Sequence, residues 1–432
     1  MTETPSIPVP AIPASAWRLI VLEFWERFSY YGILAILVLF LTSPAARGGF
    51  GWTDSRALDL LSMFAAIAFM LPMVGGYVAD RWLGTRRAVL IGSCLLVVGN
   101  VAIALSAILI ASVHARWMLY AGLAGVALGN GFFKSSLVTL LGSLIEGDDA
   151  ARDRAFRYYY QAIMLGALAA SLCVGGLAES VGWWSGFALA AAGMAVAFAI
   201  FVIWPPPAPR VASVSSLDAT PEEKTSSRAV LDMAILCAFL VVITVGWVQF
   251  QGVWLLEMEH AVDRTIGSFT VPAAWLLAVN AIVVVLFTPA SGRLWRRVAG
   301  PTSGFTSQFA AAFALMGLAH LLMAVGFRQA APGDVSLLWP VGCVLLITIG
   351  ELIFWPSSYN AVHRIAPLRA KSLMMGIWLA TLGVGQFVTH QVGRTVETIG
   401  FAALSGYIGV AMVVGCVAVV VIAKLRPSLR TL

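Results

Sequence analysis

Hydrophobic and polar positions along this 432-residue chain change over at intervals of twenty to thirty residues, with long apolar runs broken by short polar ones. Twelve apolar segments are read, and the first six cover residues 17–43, 57–81, 86–111, 116–144, 155–179 and 183–204. The second six cover residues 229–255, 271–292, 303–327, 335–365, 371–396 and 401–423. Each is long enough to cross the hydrocarbon core of a bilayer as a helix, which takes about 20 residues. None shows the period-two alternation of a membrane barrel strand. The longest polar break, residues 205–228, opens with Pro205-Pro206-Pro207-Ala208-Pro209 and closes with Glu222-Glu223-Lys224-Thr225-Ser226-Ser227-Arg228. It reads as a linker between two halves. The pattern predicts an all-α membrane protein. Its parts are a tail (1–16), a six-helix bundle (17–204), the linker (205–228), a second six-helix bundle (229–423) and a short tail (424–432).

Composition agrees: 60% hydrophobic residues, 11% charged residues and a mean hydropathy of +0.90 lie outside the soluble class. With both ends placed in the cytoplasm, eighteen Lys or Arg fall in inner loops and tails and six in outer ones, as the positive-inside rule requires. The net charge of +6 therefore reflects topology and contact with anionic lipid heads, with no nucleic acid implied. The proline-bearing start lacks a basic n-region and is not read as a signal peptide. The cysteines Cys94, Cys173, Cys237, Cys343 and Cys416 stand singly in apolar segments and form no metal or disulfide pattern.

Against this background, Glu23, Glu26 and Arg27 interrupt the first segment. At 100° per residue they share one helix face with Tyr30 and Tyr31, while Trp25 and Phe28 point away. Charges at membrane depth cost about 3 kcal/mol or more each, so they face a bundle interior or a wet cavity. A buried ion-pair cluster that only fixes helix packing is the plainer alternative. Deep in other segments lie Lys134 and Glu351, so the five groups sum to one negative charge. Binding one proton would neutralise the set; Asp59 and Asp232 lie near helix ends and enter the tally only there. A zwitterionic solute needs a cation and an anion held apart. Lys134 in the first half suits its carboxylate, and Glu351 in the second suits its amine. Asn280 could add a polar contact and the two tyrosines hydroxyls. Lys134 could instead simply neutralise a helix 1 acid, and Asn280 could merely bond between helices.

The run Glu23-Phe24-Trp25-Glu26-Arg27-Phe28-Ser29-Tyr30-Tyr31-Gly32 resembles the first-helix signature of the proton-coupled oligopeptide transporters, a branch of the major facilitator superfamily. Further resemblance lies in Gly76–Arg87 after helix 2, Gly129-Asn130-Gly131-Phe132-Phe133-Lys134 in helix 4, and Asn280 with Pro289 in helix 8. It continues in Glu351-Leu352-Ile353 and Ser372–Trp378 in helices 10 and 11. The resemblance implies a divergent bacterial member with the major facilitator fold of twelve helices, since the 24-residue linker is too short and polar for two more. It implies proton coupling by Glu23, Glu26, Arg27 and Lys134. It also implies substrate contacts from Tyr30, Tyr31, Lys134, Asn280, Glu351, Trp355 and Trp378. No cofactor is expected, only the proton gradient, and the partners are a peptide or peptide-like solute, protons and membrane lipids, around a functional monomer. Asp80, Arg81, Arg86 and Arg87, at cytoplasmic helix ends, are expected to act as a conformational latch. The charged stretch Glu146–Arg157 is expected to be a solvated loop. Gly292-Arg293-Leu294-Trp295-Arg296-Arg297 is expected to be a basic loop echoing the one after helix 2.

Several pocket positions depart from the family pattern. Leu34 stands where an arginine is usual, Met164 where an asparagine is, and Gln249-Phe250-Gln251-Gly252 lacks the usual helix 7 glutamate. Trp355-Pro356 replaces a serine-proline pair, placing a large ring at i+4 from Glu351. Loss of a cation, an acid and an amide, with added bulk, predicts a smaller or more apolar pocket than a general dipeptide site. The expected function is proton-coupled import of di- or tripeptides, or of a restricted peptide-like solute, across the inner membrane by alternating access. Export of a peptide-like product is a second transport reading, and a non-transporting sensor a third. His114, His260, His320, His363 and His390 form no close metal pair and no nucleophile motif stands out, so an enzyme is not expected.

Overall fold

The computed structural model describes residues 12–145, 149–207, 227–299, 305–328, 334–365 and 371–426. Helices α1 (Ala14–Thr42), α2 (Asp54–Val78), α3 (Thr85–Ile108), α4 (Ala115–Ser143), α5 (Asp149–Val181) and α6 (Trp183–Ile203) form the first half. The second holds α7 (Ser227–Val248), α8 (Val253–His260), α9 (Trp275–Ala299), α10 (Phe305–Phe327), α11 (Leu338–Ile365), α12 (Lys371–Gly393), α13 (Val396–Ile399) and α14 (Phe401–Leu425). Ten spans among the described residues are long and apolar enough to cross a membrane, with α7 and α8 forming one of them. Helices α9 and α12 stand where the other two expected spans lie. The protein is a multi-pass membrane protein.

Within the first half α3 packs on α4, and α1 packs on α5 and α6. In the second, α10 packs on α11 and α14, and α7 on α12. The halves meet along α2 with α12 and along α5 with α9. Close approach of α5 to α1 depends on Gly166, where a Cβ would sit 2.6 Å from the Phe24 carbonyl. That contact brings α5 alongside the charged face of α1. Trp25 and Phe28 turn away from this face onto α6, beside Gly193, as the helical period requires.

The seventh rod is broken where Gln249–Gln251 tightens into a 3₁₀ turn ahead of Gly252. Gly252 adopts φ −128 and ψ −97, outside the helical region. A Cβ there would lie 3.2 Å from the His390 ring and 3.3 Å from Leu58. The glycine therefore lets the broken rod nest between α2 and α12.

Two expected loops are helical instead. Residues 149–157 open α5, with Asp149 suited to a helix start and Ala151 and Ala155, at 2% and 0% exposure, packing inward four residues apart. The remaining residues of the expected loop, 146–148, lie outside the described ones. Residues 292–297 continue α9 to Ala299, since nothing after Gly292 breaks the helical run. Tiny strands Val262–Asp263 and Val335–Ser336 pair in parallel, and Thr265–Ile266 and Phe269–Thr270 form a hairpin, at the end of the bundle opposite the amino terminus. The linker, apart from its first and last residues, lies outside the described residues.

Candidate functional site

The charged face of α1 is buried in the first half, with Glu23 at 0%, Glu26 at 1% and Arg27 at 4% exposure. Arg27 grips Glu26 with two donors, Nε to Oε2 at 2.5 Å and Nη2 to Oε1 at 2.6 Å. Its Nε also lies 3.5 Å from Glu23 Oε1. Lys134 of α4 donates to that same oxygen at 3.3 Å. Such charge-assisted bonds offset the cost of keeping ions out of water only when the geometry is good and the set is nearly balanced. Here two acids face two cations, so the cluster is locally neutral.

Asn130, one turn before Lys134 on α4, accepts from Arg27 Nη2 at 3.3 Å and donates to the Ala68 carbonyl at 3.3 Å. The amide thereby ties α1, α2 and α4 together at the cluster. The Arg27 guanidinium lies over Tyr30 at 4.8 Å and Tyr31 at 5.9 Å from the ring centres. Tyr159 of α5 is buried beside Glu23. The first-helix stripe read from the sequence is thus a single connected site.

In the second half, Asn280 of α9 donates to Glu351 Oε2 at 2.7 Å and to Thr348 Oγ1 at 3.0 Å. Glu351 is 7% exposed and has no ion pair among the described residues. Its setting is aromatic. Trp247 of α7 faces the carboxyl, and Trp355 stands edge-on to Trp247 at 5.4 Å and stacks on Tyr359 at 5.7 Å. Trp355 therefore adds bulk beside Glu351, as the i+4 spacing predicts.

Tyr31 lies under the Arg27 guanidinium on its own helix and shares a cavity with Trp247 of the other half, the neighbour of Glu351. Tyr160 of α5 likewise reaches toward Glu351 and Tyr31. Tyr31, beside Arg27, and Trp247, beside Glu351, thus line one cavity between the halves. That cavity holds about 30 Å³, walled by the two tyrosines with Leu34, Leu61, Phe69, Gln386 and His390. That is room for about two waters.

The remaining expected residues are placed differently. Trp378 is fully buried, its ring stacked on Phe354 at 6.3 Å in the core of the second half, away from the cavity surface. Gln249, in the helix 7 stretch that lacks the acid, is buried and donates to the Thr389 carbonyl at 3.1 Å; Phe250 packs in the core. Asp232 is closed off by Arg426 at 3.2 Å and takes no part. Arg81, Arg86 and Arg87 are exposed and make no ion pair among the described residues, and the Asp80 side chain lies outside them. Among the described residues no group of three His, Cys, Asp or Glu is arranged to hold a metal.

Sequence reasoning missed Asn130, Tyr159, Tyr160 and Trp247. The run Tyr158-Tyr159-Tyr160 at the start of an apolar segment was a signal for two of them. It also missed a belt of contacts between the halves, all at the end opposite the amino terminus. Asp59 pairs with Arg394 at 3.0 Å, Glu179 with Arg264 at 3.0 Å and Glu259 with Arg47 at 3.1 Å. Within the second half Glu259 also binds Arg264; across the halves Asp54 lies 3.9 Å from His260, and the Ser55 amide donates to Glu397 at 2.6 Å.

Known proteins resemble this one over nearly the whole chain. A peptide transporter of Yersinia enterocolitica, YePEPT, is 27% identical, over 87% of this chain and 86% of its own length. A di-/tripeptide transporter of Lactococcus lactis is 26% identical, over 94% of this chain and 95% of its own. A crystal structure of a peptide transporter POT in complex with sulfate matches with a TM-score of 0.87 at 23% identity, covering 99% of this chain and 98% of that one; it shows the shared fold. The family model described as POT family, PTR2, matches residues 86–204 and 209–407, and the chain belongs to that family.

Proposed function

We propose that the protein is a proton-coupled symporter that imports di- or tripeptides, or a restricted peptide-like solute, by alternating access. One observation carries the reading: a balanced acid–base cluster lies buried in one half and a buried acid in the other, and their neighbours Tyr31 and Trp247 line one cavity. The transporters of Yersinia and Lactococcus named above support it at the level of the family.

In this reading Glu23 and Glu26 carry the proton. Protonating one of them leaves the cluster with a surplus cation, and Lys134 is freed to take the substrate carboxylate. Glu351, steadied by Asn280, takes the amine. A ligand held by both halves favours their closure around it. Tyr30, Tyr31 and Trp355 shape the space between, and the bulk of Trp355 supports a narrower choice of solute. Trp378 acts from behind, as packing.

The amino and carboxyl ends are placed in the cytoplasm of the inner membrane, following the basic loops. The belt of cross-half pairs then closes the outer face. Arg81, Arg86 and Arg87, without an ion pair among the described residues, lie on an open inner face, where with Asp80 they form the latch in the opposite state. The protein works as a monomer, without cofactor or catalysis. The test is uptake of labelled dialanine into liposomes holding the purified protein, under an inward proton gradient. Gradient-dependent accumulation that unlabelled dipeptides compete away supports the proposal, and absence of uptake by folded protein refutes it for this substrate class.

A further inference from the structure

A second cavity lies away from the central cleft, on the lateral face of the second half. It is a groove of about 880 Å³ at the end opposite the amino terminus, between the tip of α8, the last turns of α10 and the first turns of α14. Leu321, Val325, Tyr407 and Val410 make most of its wall apolar, and Val325 and Tyr407 are 65% and 67% exposed. Two charged residues line it, Glu257 and Arg328. Among the described residues neither side chain has an ion pair or a hydrogen bond to the protein. The charged neighbour of Glu257 is Asp54, of like sign, which is itself matched to His260.

A half-buried carboxylate in an apolar wall, with no cation of its own, is expensive to keep unless something supplies one. Large apolar side chains left exposed at its rim, in a chain that spans a membrane, point to a groove facing lipid, so its occupant is an amphipath. One acid and one base on a shared wall complement a zwitterionic head: Arg328 suits a phosphate and Glu257 an ammonium. The acid also selects among heads. A primary ammonium donates hydrogen bonds to the carboxylate, whereas a quaternary one has no N–H to give, and a purely anionic head is repelled.

We infer that this groove is a binding site for a phospholipid with a primary-ammonium head, its phosphate on Arg328, its ammonium on Glu257 and an acyl chain along Leu321, Tyr407 and Val410. The site lies beside the belt that joins the halves, because Glu257 shares α8 with Glu259 and His260. It does not depend on which solute the central cleft carries.

The experiment is native mass spectrometry of the detergent-purified full chain after mixing with phosphatidylethanolamine, phosphatidylcholine and phosphatidylglycerol of identical acyl chains. A charge-assisted hydrogen bond predicts about tenfold greater retention of the ethanolamine lipid than of the choline lipid. Glu257→Gln removes that preference, and Arg328→Gln lowers retention of both zwitterions alike. Ala403→Trp, which fills the groove with Glu257 intact, also removes the preference, so the result does not hang on one variant's folding. Equal retention of the ethanolamine and choline lipids by wild type, or an ethanolamine preference that survives both Glu257→Gln and Ala403→Trp, overturns the assignment.

Discussion

Lys134 donates a hydrogen bond to Oε1 of Glu23 at 3.3 Å, joining α4 to α1 through a buried carboxylate. Arg27 Nε lies 3.5 Å from the same oxygen, so two cations share one acid, with Tyr159 beside it. A proton arriving on Glu23 weakens both attractions at once. This sharing is what couples protonation to a free lysine in the proposed mechanism.

The first prediction concerns that coupling. Glu23→Gln and Glu26→Gln keep side-chain size but hold no mobile proton. Each should abolish uphill accumulation under a proton gradient, while exchange of labelled for unlabelled peptide across the membrane persists. Measuring both fluxes on one preparation separates a coupling defect from misfolding. Uphill accumulation at the wild-type level in both variants would remove the proton site from these residues.

Lys134→Gln should act on the other side of the same bond. The substrate carboxylate loses its free cation, worth about 1.5–3 kcal/mol for a charge-assisted hydrogen bond. Affinity for a dipeptide should fall at least tenfold, and less for the same dipeptide with an amidated carboxyl end. Competition assays with the two ligands check the difference.

Glu351 yields the complementary prediction. It is 7% exposed, bonded to Asn280 at 2.7 Å and without an ion pair among the described residues. Glu351→Ala should weaken binding of a free-amine dipeptide by about ten- to a hundredfold. N-acetyl dipeptide, which has no ammonium to lose, should bind the variant and wild type alike. Asn280→Ala should show the same selectivity with a smaller effect, because it only orients the acid.

Much of this site was legible in the sequence because helical periodicity is strict. Once Glu23, Glu26, Arg27, Tyr30 and Tyr31 fall on one face, burial of that face follows from the cost of charge in lipid. Lys134, Asn280 and Glu351 stood out for the same reason, as polar residues in apolar runs. Since an aromatic in an apolar helix carries no sign of which neighbour it meets, a pocket place and core packing are both open for Trp378 in the sequence, and it is buried in the core. The partners Asn130, Tyr159 and Trp247 depend on how helices cross, which one chain's pattern does not encode. The α5 and α9 extensions were missed because charged residues read as loop, although charges on an exposed helical turn cost little. The cross-half belt was hidden because its residues look like ordinary loop charges.

That belt carries a pH prediction. The Ser55 hydroxyl and then its amide, which donates to Glu397 at 2.6 Å, hold this carboxyl below its usual range. A lowered value means the contact is fully present above the ordinary carboxylate range, about 4, and is lost as pH falls through the depressed value. Closure of this end should therefore be unchanged between pH 7 and 5 as far as Glu397 is concerned. Cysteines placed at Ser55 and Val396 should crosslink equally at both pH values. Asp59→Asn, which breaks the pair with Arg394, should lower that crosslinking at either pH.

The most direct measurement of the central claim follows protons rather than peptide. Liposomes containing the protein and a trapped pH-sensitive dye are given dialanine outside, with the membrane potential clamped and no pH gradient imposed. The account predicts that dialanine alone acidifies the interior, at a rate that saturates with peptide and vanishes in Glu26→Gln. Peptide entry without acidification would contradict it, showing that the cluster on α1 binds or packs but does not carry the proton.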